Sequence, residues 1–151
     1  MSDVAKLGAV RPPRVYLAAI VTGVLLQLAV PLPFLPRATA AGAIFVFAAL
    51  ALLWYSVARF RAAGTPVPAR QPTTAIVQTG PYRFSRNPIY LAYSLFQLGI
   101  AIWINSLWLL ATLAVAVGLM HFIVIRREEE YLERRFGAEY LGYKAAVRRW
   151  L

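Results

Sequence analysis

The chain has 151 residues, 60% of them hydrophobic and only 15% charged, with 16 Lys and Arg against 6 Asp and Glu. Soluble domains carry about a quarter charged residues, so the composition argues against an ordinary soluble enzyme and for an integral membrane protein. There is no cysteine and one histidine, which excludes disulfides, thiolate chemistry and any Cys-based or His-rich metal site; no metal is expected.

The formal charge of +10 would suggest nucleic acid in a soluble protein. Here it reads as the basic flanks of membrane helices facing anionic lipid, and no nucleic-acid partner is expected. The first apolar run is too long for a cleavable signal peptide and lacks a small-residue cleavage site, so it reads as an anchor.

In chain order, residues 1–13 form a short polar leader. A first span is expected over about 15–35, ended by Pro31, Pro33 and Pro36, which remove amide donors and clash with the preceding turn. A second follows over about 38–58, rich in Ala and Gly, residues that let membrane helices pack closely. Residues 59–87 carry five arginines and six Pro or Gly, and read as an irregular loop longer than a connector needs. Within it, residues 73–77 could form a short extended piece. A third span is expected over about 88–104, with Pro88 suited to a helix start. Asn105-Ser106 is a tight turn into a fourth span, about 107–125, which makes the last two spans an antiparallel hairpin. Phe136, Tyr140, Tyr143, Val147 and Trp150 recur at helical steps, so an amphipathic C-terminal helix is expected, lying on the membrane or folded over the bundle.

The expected fold is therefore all-α: a single polytopic membrane domain over 1–151, with four transmembrane helices, a cytoplasmic loop and a C-terminal amphipathic helix. Placing both termini and the long loop on one side puts fifteen of the sixteen basic residues there, all but Arg37. That side is the cytoplasmic one. High Ala and Arg content without cysteine is compatible with a bacterial inner membrane. The Ala/Gly-rich second span offers a surface for a homodimer.

This topology brings two unusual stretches together. One is Gly80-Pro81-Tyr82-Arg83-Phe84-Ser85-Arg86-Asn87-Pro88-Ile89-Tyr90. The other is Glu128-Glu129-Glu130-Tyr131-Leu132, followed by Phe136-Gly137, Tyr140 and Tyr143. Three successive glutamates on a helix point about 100° apart and cannot share one task. Glu130 has Arg126 and Arg134 four residues to either side and reads as a solvated helix pair. Glu128 continues the line of His121 and Ile125, so it can look into the bundle; Glu129 is open to either reading. His121, an ionisable group near the end of the fourth span, is a candidate by position. Against these stand plainer readings: a charged helix end, a histidine bonded to backbone, an aromatic belt at the interface.

The two motifs, Gly80-Pro81-Tyr82…Arg86-Asn87-Pro88-Ile89-Tyr90 and Glu128-Glu129-x-x-Leu132…Phe136-Gly137-x-x-Tyr140-x-x-Tyr143-Lys144, resemble those of the integral membrane methyltransferases. That group includes isoprenylcysteine carboxyl methyltransferases and phospholipid N-methyltransferases. The resemblance covers residues 80–149 and implies that the C-terminal half, 80–151, binds S-adenosylmethionine and passes its methyl group to a lipid or lipidated acceptor. It implies catalytic roles for Arg86 and Glu128. It also implies a cofactor site holding Asn87, Pro88, Tyr90, Glu129, Tyr140 and Tyr143; Tyr82 of the first motif and His121, by its position near the end of the fourth span, join them as cofactor-binding candidates. Asn87 stands where the family often has histidine, and Ala92 where glycine is common. Two alternatives are an NADPH-dependent membrane reductase related to the sterol reductases, and a non-catalytic membrane protein whose motifs only anchor it in lipid.

Overall fold

The structure, a computed structural model, describes residues 11–36, 40–64 and 73–151. The leader before Arg11, Arg37 in the first connection, and Pro66, Pro68, Arg70 and Pro72 of the long loop lie outside the described residues.

Helix α1 covers Pro12–Ala29. It starts earlier than expected because Pro12 and Pro13 occupy the first turn, where no amide hydrogen is needed. It also stops six residues short of the expected Leu35. Pro31 pushes Val30, the residue before it, into an extended conformation. Helix α2 covers Ala41–Ala62 and runs past the expected end at Ala58. Arg59 and Arg61 fall in its last turn, where cations favour the helix dipole. The two arginines assigned to the loop are therefore helical.

Helix α3 spans Pro88–Ile104, with the expected bounds. Its cap is Asn105, left-handed at φ 59°, a conformation asparagine tolerates. The Asn105 amide donates to Leu35 O at 2.9 Å, and its Oδ1 accepts from Phe34 N and Leu35 N at 3.0 and 2.9 Å. One side chain thus closes the helical hairpin and pins the first connection to it. Ser106 caps helix α4, Leu107–Leu119, by accepting from Leu109 N.

The chain then continues through a π-helical segment, Met120–Ile125, into α5, Arg126–Phe136, as one 30-residue helix. The apolar part ends at Ile125, and α5 is its charged extension. After Gly137, at φ 53°, comes α6, Ala138–Ala146. The C-terminal helix is thus shorter than expected: Val147 and Trp150 lie beyond it, and residues 148–151 fold back over the bundle. Among the described residues there is no strand; the expected extended piece at 73–77 is irregular and lines the site.

Helix α2 packs along α3, α1 along α4, and α3 against α4. Helices α2 and α3 approach closely at Gly42 and Gly99. A Cβ on Gly42 would sit 2.4 Å from Gly99 O and 2.5 Å from Trp103 N, both backbone atoms. The small residues of the second span therefore serve contact within the chain. Gly42→Ala is expected to cost about 1–3 kcal/mol, the penalty of overpacking, read as a lower unfolding temperature of the detergent-solubilised protein.

Leu17, Leu25, Leu28, Ile44, Phe47, Trp54, Val115 and Phe122 stand exposed on the outside of the bundle, the mark of a lipid-facing surface. Three helices are long and apolar enough to cross a membrane: Pro12–Ala29, Ala41–Ala62 and Leu107–Phe136. The expectation of four such spans is met only in part, because α3 is apolar but has 17 residues.

Candidate active site

The site forms where α3 begins and the apolar part of the long helix ends. A short 3-10 turn, Gly80–Arg83, leads into α3 and buries Tyr82. Across from it α5 presents Glu128, Glu129, Tyr131 and Leu132, and α6 presents Tyr140 and Tyr143. Phe60 of α2 and residues 75–77 of the loop complete a mostly apolar pocket. Nine of the ten residues named from sequence line it: Tyr82, Arg86, Asn87, Pro88, Tyr90, Glu128, Glu129, Tyr140 and Tyr143.

The tenth, His121, lies off the pocket. Its ring stacks on Trp150, and its Nδ1 accepts from Trp150 Nε1 at 3.2 Å. Its Nε2 faces Arg149 Nη1 at 3.0 Å. The π-helical stretch that carries it was not foreseen, since no residue preference marks one; such stretches often sit at functional sites.

The two pocket glutamates have different surroundings. Glu129 is buried and doubly neutralised. Arg86 Nη1 lies 3.0 Å from its Oε1, and Arg149 forks both oxygens at 2.9 and 2.6 Å. Hydrogen bonding to Glu129 raises the Arg149 guanidinium above its ordinary value. Arg86, expected from the resemblance to be catalytic, is thus paired with a carboxylate of the protein itself. Glu128 has no cationic partner among the described residues. It accepts one hydrogen bond, from Tyr90 Oη at 2.6 Å. Burial raises Glu128 from 4.5 to about 7; the Tyr90 bond works against this and the Glu129 charge adds to it. Burial likewise pushes the Tyr82 and Tyr143 phenols above their ordinary value.

The folded protein holds the Glu128 proton more tightly than the unfolded chain does. The stabilisation is complete below 4.5 and is lost as pH rises to about 7. Thermal unfolding followed between about pH 5 and 8 should show stability falling with pH, and Glu128→Gln should flatten that slope.

The C-terminal tail is sewn onto the motif that opens α3. Arg86 N donates to Arg148 O at 2.9 Å, and Asn87 Nδ2 and Ser85 Oγ donate to Arg149 O at 3.1 and 3.3 Å. Tyr143 Oη donates to Tyr82 O at 2.7 Å and locks α6 onto the 3-10 turn. Asn87 and Tyr143 therefore hold the walls together while lining the pocket.

Among the described residues, four buried side-chain polar atoms lack a partner, and three of them belong to this pocket: Tyr82 Oη, Arg86 Nε and Tyr131 Oη. Buried polar groups are almost always satisfied, so three unpartnered atoms on residues of one pocket suit a polar ligand bound there. The sequence singled out neither Tyr131 nor Arg149 as a site residue. Tyr131 stood inside the quoted glutamate motif, whereas nothing in the sequence distinguished Arg149 from the other terminal arginines.

A family model described as phospholipid methyltransferase matches residues 37–139. The chain belongs to the phospholipid methyltransferase family. Its match spans both the α3-opening motif and the glutamates of α5. Among curated relatives, the nickel-cobalt-cadmium resistance protein NccN of Alcaligenes xylosoxydans xylosoxydans is 39% identical over 64 residues, 42% of this chain and 30% of that protein. An uncharacterised protein of Haemophilus influenzae is 44% identical over 64 residues, 42% of this chain and all of that protein. The cobalt-zinc-cadmium resistance protein CzcN of Cupriavidus metallidurans is 40% identical over 61 residues, 40% of this chain and 28% of that protein. The match thus spans under a third of the two resistance proteins. No solved structure matches.

A phospholipid methyltransferase of this family needs somewhere to hold a cationic cofactor, and the pocket residues fit one. Among the described residues, Glu128 is a carboxyl without a counter-charge, Tyr90 and Tyr140 are aromatic residues of the lining, and the unpartnered Tyr82, Tyr131 and Arg86 atoms are potential donors.

Proposed function

We propose that the protein transfers a methyl group from S-adenosylmethionine to the amine of a lipid or lipid-like acceptor. The work is done at the cytoplasmic face of a bacterial inner membrane. In this reading α3 crosses the bilayer with its neighbours, as the inner strut of a four-span bundle with both termini inside. The observation that carries the proposal is the contrast between the glutamates. Glu129 is neutralised twice over, while Glu128, in the same pocket, has a tyrosine hydroxyl and, among the described residues, no cation.

When bound, the cofactor supplies an electrophilic methyl group on a sulfonium. The protein's part is to hold and to orient. The faces of Tyr90 and Tyr140 and the charge of Glu128 favour a cation in the pocket. Arg86 Nε and the Tyr82 and Tyr131 hydroxyls bind polar groups of the ligand, and Phe60, Ile76 and Val77 cover a flat apolar portion. Glu128, at about 7, is partly deprotonated near neutrality and can take the proton of an ammonium acceptor. A carboxylate acceptor would instead need a free cation, and Arg86 and Arg149 are both engaged by Glu129. This favours the amine.

The test is reconstitution of the purified protein in liposomes of a bacterial lipid extract with methyl-labelled S-adenosylmethionine. Label is expected in the lipid fraction, cut by about 10²–10⁴-fold in Glu128→Gln, the range for loss of a general base. Label that never enters lipid, in a protein that binds the cofactor, would overturn the acceptor class.

A further inference from the structure

A second groove lies against the end of α2. Phe60 and Tyr82, whose ring centroids are 5.1 Å apart, line the pocket described above; their chain neighbours Arg59 and Pro81 line the groove. Tyr55, Arg83 and Phe84 form the rest of its rim, with Thr79 and Gly80 beneath.

Its charge is unbalanced. Arg59 Nη2 donates to Tyr55 Oη at 2.8 Å, and its guanidinium lies over that ring at 4.9 Å. The head is thus oriented by an aromatic ring and, among the described residues, not by a carboxylate. Arg83 is exposed and has no ion-pair partner among the described residues. Every acidic residue among them lies on α5 or α6, and none lines this groove. The floor is shaped to bring the arginine close. Gly80 has φ +61°, and a Cβ there would sit 3.1 Å from Arg59 Cγ and 3.3 Å from Tyr55 Cε1.

The setting is the edge of the membrane. Phe84, beside the two guanidiniums, is 72% exposed. A bare phenylalanine next to arginines suits the boundary between acyl chains and head groups. The guanidinium fork matches phosphate oxygens, and two uncompensated forks prefer a head group with net negative charge.

We infer that this groove binds the phosphate of an anionic phospholipid. The site is separate from the methyl-transfer pocket and stands whether or not that reading holds. It is tested in nanodiscs of phosphatidylcholine doped with phosphatidylglycerol, counting retained anionic lipids by native mass spectrometry. The wild type should retain phosphatidylglycerol. Arg83→Gln, a surface change that leaves folding intact, should lower retention roughly tenfold, the loss of one charged hydrogen bond, and Arg59→Gln with Arg83→Gln should lower it further. Arg61→Gln, an exposed arginine of the same helix turn outside the groove, should leave it unchanged. Retention unaltered in both groove variants, or lowered equally by Arg61→Gln, overturns the site. Protection of the groove by inorganic phosphate with no preference for phosphatidylglycerol would keep the phosphate chemistry and overturn the lipid source.

Discussion

Glu129→Ala should unfold the protein more readily than any other single change at the site, by about 3–5 kcal/mol, the cost of breaking a buried ion pair from one side. The Glu129 and Arg86 side chains are 7% and 9% exposed, so removing the carboxylate strands the Arg86 guanidinium in the interior. Arg149 would lose the anchor that holds the C-terminal tail at 2.6 Å, and with it the support behind His121 and Trp150. Glu130 is exposed, and Glu130→Ala should change the unfolding temperature little. Thermal unfolding of the three proteins in one detergent reads both outcomes. Equal effects of the two substitutions would mean that the Arg86–Glu129–Arg149 cluster is not the keystone described here.

Tyr82→Phe should act with opposite signs on stability and on binding. The Tyr82 hydroxyl is buried without a partner among the described residues, so deleting it removes a desolvation penalty. Unfolding temperature should hold or rise. If the pocket holds a polar ligand on that hydroxyl, the same change leaves a ligand group unpaired and weakens binding about tenfold or more. Tyr131→Phe should behave alike, for the same reason. A purely structural tyrosine would move both quantities downward together, which separates the two roles.

Much of this arrangement was legible in the sequence because it rests on strong local signals. Prolines and the Asn105-Ser106 turn set the helix limits, and the antiparallel hairpin then forces the start of α3 and the glutamates of α5 to one end. Helix edges moved where competing effects met: Pro31 shortened α1, while the last-turn arginines let α2 run on to Ala62. What stayed hidden depends on tertiary pairing. Three adjacent glutamates look alike in sequence, and only the packed structure separates doubly paired Glu129 from Glu128. Arg149 acquires its role because the tail hydrogen-bonds to residues 85–87, more than sixty positions away in the chain. The π-helical stretch at Met120–Ile125 has no compositional mark, so the displacement of His121 from the pocket could not be read in advance.

The pocket between α3, α5 and α6 is proposed to hold S-adenosylmethionine. Calorimetric titration of the detergent-solubilised protein with S-adenosylhomocysteine, with NADPH as a parallel ligand, tests it most directly. Saturable binding of S-adenosylhomocysteine, weakened in Tyr82→Phe and Arg86→Ala and absent for NADPH, is the predicted result. Binding of NADPH alone, or S-adenosylhomocysteine binding that neither substitution alters, would contradict it.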